Sequence, residues 1–266
     1  MSLSLFLQTE GCLKSSNLEE KLNLTENLAQ MWEEGTVDLK PCLNEPFVDD
    51  AGRPEKPILV ENFRLPKRSM ASEKNHPAFI HALCHIEFNA INLALDAVYR
   101  FRDMPRDFYT DWIRVAREEA YHFRLLRDYL QTLGSDYGQY EAHDGLWKMA
   151  LETAHDPLVR MALVPRVLEA RGLDVTPGMI DKLMHHGKQE AADILKIIYR
   201  DEIGHVEIGS RWFNYLCELR ELDAEKTFAD LIESHAKERI RLPINDQARM
   251  EAGFNQVELD YLYTCI

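Results

Sequence analysis

The stretch Trp112–Tyr129, which reads WIRVAREEAYHFRLLRDY, decides the predicted fold. Its apolar residues recur at every third or fourth position, as on the buried face of a helix, and Glu119 and His122 lie on that face. The Glu-x-x-His spacing puts a carboxylate and an imidazole one turn apart, where both can bind one metal ion. A buried carboxylate is costly unless it is paired or metal-bound. The stretch therefore predicts a metal-binding core helix.

A second Glu-x-x-His pair, Glu202 and His205, lies on the apolar face of another predicted helix, and two single carboxylates lie on similar faces. These are Glu87 and Glu169, and their spacings repeat. Glu87 precedes Glu119 by 32 residues, and Glu169 precedes Glu202 by 33. The two Glu-x-x-His pairs are 83 residues apart. The sequence therefore predicts two similar helix pairs related by pseudo-symmetry.

Two further matches to the acidic-x-x-His pattern are interpreted as accidents. Composition alone predicts about 1.7 matches, and the chain has four. Glu73 and His76 directly precede Pro77, where helical geometry is disfavoured, so the two side chains need not share a face. Glu152 and His155 lie on the polar face of their segment, so we expect both to be solvated.

The predicted fold class is all-α, with a four-helix bundle in which two helices each carry one Glu and two each carry Glu-x-x-His. This arrangement binds two iron or manganese ions. Four carboxylates and two divalent ions make a neutral buried site, and oxygen and imidazole ligands favour iron, with manganese as the alternative, over structural zinc. The Glu residues of the two pairs are expected to bridge the ions, and the single Glu residues to bind terminally. The expected metal ligands are Glu87, Glu119, His122, Glu169, Glu202 and His205.

Charged residues near the expected ligands could support metal binding or could replace it by ion pairing. Glu118 and Asp201 each precede the Glu of a pair and could orient its imidazole by a hydrogen bond, or could be plain surface charge. A lone buried Glu is more often half-exposed or salt-bridged. The candidate ion-pair partners are Arg100, Arg114, Arg117 and Arg171. An ion-pair network does not require matched pairs at matched spacings, so metal binding is the favoured interpretation.

Composition limits the class of protein. The chain has 266 residues, of which 45% are apolar and 29% charged, as is typical of a globular protein. No apolar run reaches the roughly 18 residues of a membrane span, and no secretory signal is recognised, so a soluble protein is expected. Five scattered Cys residues without a C-x-x-C pair favour a reducing compartment. We therefore expect a cytoplasmic protein.

The net charge of −14 argues against unspecific binding to nucleic acid and against binding to anionic membranes. A local basic patch could oppose this average, although a solvated charged surface is the favoured explanation of the residues concerned. The candidate residues for such a patch are Arg100, Arg102, Arg106, Lys237, Arg239 and Arg241.

Three segments are predicted along the chain. Residues 1–75 form an N-terminal helix and an extended wrapping arm, because repeated prolines interrupt regular helix there. Residues 76–222 form the bundle that carries the ligands. Residues 223–266 form a helical extension that packs on the bundle.

Individual helices outside and inside the bundle are also predicted. The arm contains a helix at about Leu18–Glu34, and the extension contains helices at about Ala224–Arg239 and from about Gln256. A capping side chain before a proline marks two helix starts, at Asp156-Pro157 and at Thr176-Pro177. No convincing strand pattern is found.

At the ligand positions the sequence resembles a ferritin-like family whose function is not established and which occurs mainly in bacteria. The matching stretches are His85–Ala97, Glu118–Phe123, Leu168–Pro177 and Asp201–Val206, and Pro54–Arg68 and Ala252–Phe254 also match. The likeness therefore spans most of the chain. More distantly, the ligand pattern is similar to that of ferritins, rubrerythrins and di-iron monooxygenases that hydroxylate modified tRNA. The resemblance implies a site for two metal ions, whereas a particular reaction does not follow from a fold.

The expected site favours redox chemistry, in which two ferrous ions bind O2 and an unknown small-molecule or macromolecular substrate is oxidised, as in a hydroxylase or monooxygenase. No flavin or nicotinamide fingerprint is present, so an external electron donor is expected. Tyr199, one turn before Glu202, and Tyr121, beside His122, are candidates for a radical or a hydrogen-bond donor. A Tyr at helical spacing is, however, more often a core residue.

Two alternatives stay open. The same ligands could serve a ferroxidase of the ferritin type, but the long segments outside the bundle favour a monomer or small homo-oligomer with a substrate pocket over a storage cage. A metal-free interaction scaffold is the other alternative, and it leaves four inward-facing carboxylates unexplained. Metal analysis of the purified protein separates the metalloproteins from the scaffold.

Overall fold

The structure, a computed structural model, describes residues 3–40, 48–66 and 74–266, and nearly all the regular structure in these ranges is helical. The all-α class is therefore confirmed. The chain divides into two compact units, Met1–Leu151 and Glu152–Ile266, which we call the first and the second unit.

The first unit is built on two long helices, α3 and α4, which pack against each other, while α1 packs on α3 and α2 packs on α4. Two short strands, β1 and β2, pair in parallel near the chain start. The bounds in chain order are β1 Leu3–Ser4, α1 Leu5–Lys14, α2 Leu18–Glu33, β2 Val37–Asp38, α3 His76–Arg100, α4 Arg106–Thr132 and α5 Gly145–Glu152.

The predicted arm helix is confirmed as α2, which the side chain of Asn17 caps by accepting a hydrogen bond from the amide of Glu20 at 3.0 Å. Helix α1 was not predicted from the sequence, because its start has no capping side-chain hydrogen bond and its apolar run is short. The described part of the proline-rich stretch contains only a 3-10 turn, Asn62–Arg64, and a single bridge from Leu59 to Ala142.

The second unit is built on a helical run that packs against the 31-residue helix α8. The run consists of α6, a π-helical turn and α7. Helix α6 starts as predicted, with Asp156 accepting a hydrogen bond from the amide of Leu158 and Pro157 in the first turn. The bounds are α6 Pro157–Leu163, π-helical turn Val164–Glu169, α7 Ala170–His185, α8 Gln189–Leu219, α9 Ala224–His235, α10 Asp246–Glu251 and α11 Gln256–Thr264.

The predicted helix start at Thr176-Pro177 is wrong, because Pro177 lies inside α7. Proline has no amide hydrogen, so the carbonyl of Leu173 lacks its usual donor four residues later. The side chain of Asn245 donates to that carbonyl instead, at 3.2 Å. A contact from 72 residues away therefore lets the helix continue through the proline.

The C-terminal helices agree with the prediction in part. Helix α9 ends at His235 rather than Arg239, and a 3-10 turn, Lys237–Arg239, follows it. Helix α11 begins at the predicted residue, Gln256, with a capping box formed by Asn255 and Glu258.

One described helix, α3, is long and apolar enough to cross a membrane by length and composition. The most apolar 18-residue stretch of this helix is largely buried inside the structure. Core helices pass the same test, so this finding carries little weight.

Gly209 is required where α8 passes the π-helical turn. A Cβ atom at this position would lie 2.3 Å from Cγ and 2.4 Å from Cβ of Pro165. Gly209→Ala is therefore expected to destabilise the protein by about 1–3 kcal/mol or more, measured by urea unfolding.

Gly204→Ala is the matched control, because it lies on the same helix and an added Cβ there meets nothing within 4 Å. This variant is expected to be neutral or to gain up to about 1 kcal/mol, since Ala is the better helix former. Equal unfolding midpoints for the two variants would contradict the close contact at Gly209.

Candidate metal centre

Helices α3 and α4 bring three predicted ligands together in the first unit. Glu87 comes from α3, Glu119 and His122 come from α4, and all three side chains are buried. His122 Nδ1 lies 3.4 Å from Glu87 Oε2 and 3.5 Å from Glu119 Oε2. Each residue offers a ligand atom within 4.8 Å of those of the other two. Two carboxylates and an imidazole at this spacing fit the donor set that iron and manganese take in proteins.

The helix stripes that predicted this arrangement are also found. The residues on the stripe of α4 are all buried, and so are those on the stripe of α3 around Glu87. The buried stripe of α4 comprises Trp112, Val115, Glu119, His122, Leu126 and Tyr129. The polar residues Glu119 and His122 therefore interrupt an otherwise apolar face of α4, as the sequence predicted.

The three groups perturb one another because they are buried together. Burial, with the neighbouring Glu119 carboxylate, raises the pKa of Glu87 well above its ordinary value, against the opposing effect of His122. Burial alone would lower the pKa of His122, but hydrogen bonding to Glu119 and Glu87 and their charges raise it to about 11. Strongly shifted pKa values in one cluster are typical of a functional site.

The second unit holds the other Glu-x-x-His pair on α8 in the same local geometry. His205 Nδ1 lies 3.5 Å from Glu202 Oε1. His205 is buried, whereas the side chain of Glu202 keeps 14% exposure. In both pairs Nδ1 faces the carboxylate, which leaves Nε2 as the nitrogen that a second partner would orient. The same motif therefore adopts one geometry at two places in the chain.

Glu169 is half-buried and ends the π-helical turn Val164–Glu169. The sequence placed Glu169 on a regular helix, so the turn corrects that local expectation. A π-helical turn shifts the side chains that follow it around the helix axis, and such turns occur frequently at functional sites. The role of Glu169 as a metal ligand stays a prediction.

Ion pairing with arginine was the alternative explanation of the inward carboxylates. Three of the four candidate arginines pair with other carboxylates, namely Arg100 with Asp96, Arg117 with Glu33 and Arg171 with Asp174. The fourth, Arg114, is exposed. These contacts weaken the ion-pair explanation for the predicted ligands.

The two matches interpreted as accidents, Glu73/His76 and Glu152/His155, differ from the predicted ligand pairs. Glu152 and His155 are both exposed, and α5 ends at Glu152, so the pair does not share a helix. His76 is the first residue of α3, while Glu73 lies outside the described residues.

The structure also describes the four side chains that the sequence suggests as supporting groups of the metal site, namely Glu118, Asp201, Tyr121 and Tyr199. Asp201 pairs with its neighbour Arg200 at 2.9 Å, and Glu118 is half-buried. Tyr121 is 49% exposed, and the hydroxyl of Tyr199 accepts a hydrogen bond from Asn245 at 3.0 Å. The suggested roles of these four side chains stay predictions.

The candidate basic residues of the first unit have structural contacts: Arg100 pairs with Asp96, Arg102 lies over the ring of Tyr99, and Arg106 lies over the ring of Trp32. Those of the second unit lie on its surface, where Lys237 pairs with Glu233 at 2.8 Å. The exposed basic residues there are Lys237, Arg239 and Arg241.

A cavity of about 270 Å³ lies beside α3 in the first unit, and sequence reasoning missed it. His85 and Ile86, which directly precede the predicted ligand Glu87 in the sequence, are among its lining residues. The hydroxyl of Tyr137 donates to His85 Nδ1 at 2.9 Å, because Nε2 lies 3.0 Å from the carbonyl of His143 and must donate there. The only signal in the sequence was that the family-like stretch begins at His85.

Comparisons with known proteins confirm the part of the resemblance that concerns a family of unknown function, and they assign no ferritin-like character. The model of a family described as "protein of unknown function (DUF455)" matches residues 14–260. An uncharacterised protein of Haemophilus influenzae is 46% identical over 273 residues, which cover 96% of this chain and 92% of the relative. No solved structure matches. The chain therefore belongs to the DUF455 family, a family of unknown function.

Proposed function

We propose that this protein is a ferritin-like di-metal carboxylate protein and that its metal is iron, with manganese as the alternative. In this proposal α3, α4, the helical run Pro157–His185 and α8 form a four-helix bundle around two ions. The observation that carries it is the buried contact of His122 with Glu87 and Glu119. Two carboxylates and an imidazole buried in one cluster are groups whose burial a bound cation would stabilise.

The repetition of the motif supports two ions rather than one. Glu202 and His205 reproduce the local geometry of Glu119 and His122, with 3.5 Å between Nδ1 and the carboxylate in each pair. We propose that the two Glu residues of these pairs bridge the ions, while Glu87 and Glu169 bind terminally. Each ion then has one imidazole, and four carboxylates balance two divalent cations.

We propose an O2-dependent oxidoreductase, of the hydroxylase or monooxygenase type, that receives electrons from an external donor. Bound ferrous ions would supply the reduction of O2, and the chain's own residues would hold the ions and exclude water from them. The cavity beside α3 has room for a small molecule, and we propose it as the substrate pocket because His85 and Ile86 of the same helix line it.

Metal analysis tests the proposal directly. Protein loaded with Fe(II) without oxygen and then desalted is expected to retain about two ions per chain and to develop a visible absorption on mixing with O2. Metal content well below one ion per chain, with no spectral change, would favour the interaction scaffold instead.

Iron turnover separates the oxidoreductase from the ferroxidase alternative. A ferroxidase would oxidise many equivalents of Fe(II) per chain and accumulate ferric iron, whereas the proposed enzyme stops near two equivalents without substrate and reductant. Size-exclusion mass is expected to show a monomer or small homo-oligomer rather than a cage.

We also propose that the protein works in the cytoplasm. The described cysteines Cys12, Cys84, Cys217 and Cys265 are free thiols, which fits a reducing compartment. Localisation of a tagged full-length chain by fractionation tests this.

A further inference from the structure

The π-helical turn that ends at Glu169 also carries a fully buried arginine, Arg166. Its guanidinium lies over three phenyl rings, at 4.1–4.7 Å from their centroids. These rings belong to Phe213, Phe228 and Phe254. Aromatic faces attract a cation but leave its charge without a counter-ion.

The counter-ion comes from the C-terminal helix α11. Glu258 Oε1 lies 2.7 Å from Arg166 Nη2, and both side chains are buried. The other carboxylate oxygen of Glu258 accepts the amide of Asn255 at 3.1 Å, which closes the capping box of α11. Arg166 Nε also donates to Ser210 Oγ on α8 at 3.2 Å. The Glu258 carboxylate thus caps the start of α11 and also balances the charge of Arg166 in the π-helical turn.

Further contacts join the C-terminal segment, residues 241–258, to α7, the helix that directly follows the π-helical turn. Arg249 of α10 donates to both oxygens of Asp174, at 2.8 and 2.9 Å, and both side chains are buried. Arg171 donates to three successive carbonyls, those of Arg241, Leu242 and Pro243. The segment is therefore held on both sides of Glu169 in the sequence.

We propose that Glu258 is a positioning residue, which acts through Arg166 to fix the π-helical turn and thereby the direction of the Glu169 carboxylate. A π-helical turn is rarely stable by itself and needs support from its surroundings. A buried guanidinium that loses its counter-ion is costly, so the turn would rearrange to bring Arg166 to water. That rearrangement would carry Glu169, three residues later, out of place.

This inference rests on the proposed function only where it assigns Glu169 to a metal. Its first test needs no metal: hydrogen–deuterium exchange of metal-free protein, read on peptides covering residues 164–172. Glu258→Gln keeps the shape of the side chain and removes its charge, and it is expected to speed exchange of these peptides about tenfold or more.

The matched control is Ile232→Ala on α9. Ile232 is fully buried in the same unit and makes none of the contacts described for Arg166. Its truncation is expected to lower the unfolding midpoint, because it leaves a cavity, without selective exchange at residues 164–172. A residue with a merely structural role would behave like Ile232, so equal exchange patterns in the two variants would overturn the inference.

The second test is metal affinity. Glu258→Gln is expected to weaken binding of the second Fe(II) equivalent about 10–100-fold and to leave the first nearly unchanged. Unchanged affinity for both equivalents would overturn the link to Glu169. Faster exchange in Glu258→Gln, together with a wild type that binds no metal, would support the positioning of the turn and contradict the proposed function.

Glu258→Asp covers the case in which Glu258→Gln folds poorly. The shorter side chain keeps the charge and draws it back from Arg166, so a smaller increase in exchange is expected at the same peptides. Wild-type exchange at residues 164–172 in a folded Glu258→Asp protein would contradict the inference.

Discussion

Glu119→Ala loses metal binding, with an expected fall in Fe(II) affinity of more than about 100-fold. The reason is that Glu119 is fully buried beside His122 and is one of the two residues proposed to bridge the ions. Loss of groups that merely orient ligands already costs 10–100-fold, and loss of a ligand should cost more. The measurement is metal content per chain after anaerobic loading and desalting, with circular dichroism to show that the helices are retained.

Glu152→Ala is the matched control for this experiment. Glu152 has the same Glu-x-x-His spacing but is exposed at the end of α5. It is expected to keep the metal content and unfolding temperature of the wild type. Retention of two ions by Glu119→Ala, or a similar loss in both variants, would mean that metal binding does not depend on the buried pair.

Much of the core was predictable because helical periodicity is a local property. The stripes through Glu87 and through Glu119 follow from residues three and four apart, and burial confirms them. The capped start of α6 at Asp156 is likewise local. The same logic distinguishes the buried pair on α4 from the exposed match at Glu152 and His155.

What the sequence could not predict depends on contacts between distant residues. Pro177 would end a helix by itself, but the side chain of Asn245 donates to the carbonyl that the proline leaves without its helical donor. The π-helical turn has no simple sequence period, and its arginine meets a carboxylate in a separate C-terminal helix. Such pairings are tertiary, so propensity and periodicity carry no information about them.

Lys21→Met is expected to destabilise the protein by about 3 kcal/mol at alkaline pH. Lys21 is fully buried on α2, and its Nζ donates to the carbonyls of Cys12 and Leu13, both at 2.9 Å, and to Asn92 Oδ1 at 2.8 Å. The two carbonyls belong to the last turn of α1, where no helical amide reaches them. Methionine removes the amine, which in its neutral form at alkaline pH donates two of these hydrogen bonds at a time, and each loss at a buried acceptor costs roughly 1–3 kcal/mol.

The size of this loss should depend on pH, because burial lowers the pKa of Lys21 to about 7 from an ordinary value of 10.5. Between these values the unfolded chain binds more protons than the folded chain, so wild-type stability gains up to about 1.4 kcal/mol per pH unit from this group. Lys21→Met lacks the titrating amine, so its stability does not rise with pH from this source. The stability difference should therefore be small near about pH 6.5 and reach about 3 kcal/mol near about pH 9.5.

Urea unfolding of both proteins at the two pH values measures this difference, and Lys14→Met provides the control. Lys14 is exposed and pairs with Glu10 four residues away, so its replacement should change stability by less than about 0.5 kcal/mol at either pH. A Lys21→Met loss of equal size at both pH values would mean that the three oxygens fully compensate a buried ammonium. In that case Lys21 would stay charged throughout, and the α1–α2 contact would be an ordinary helix cap made by a cation.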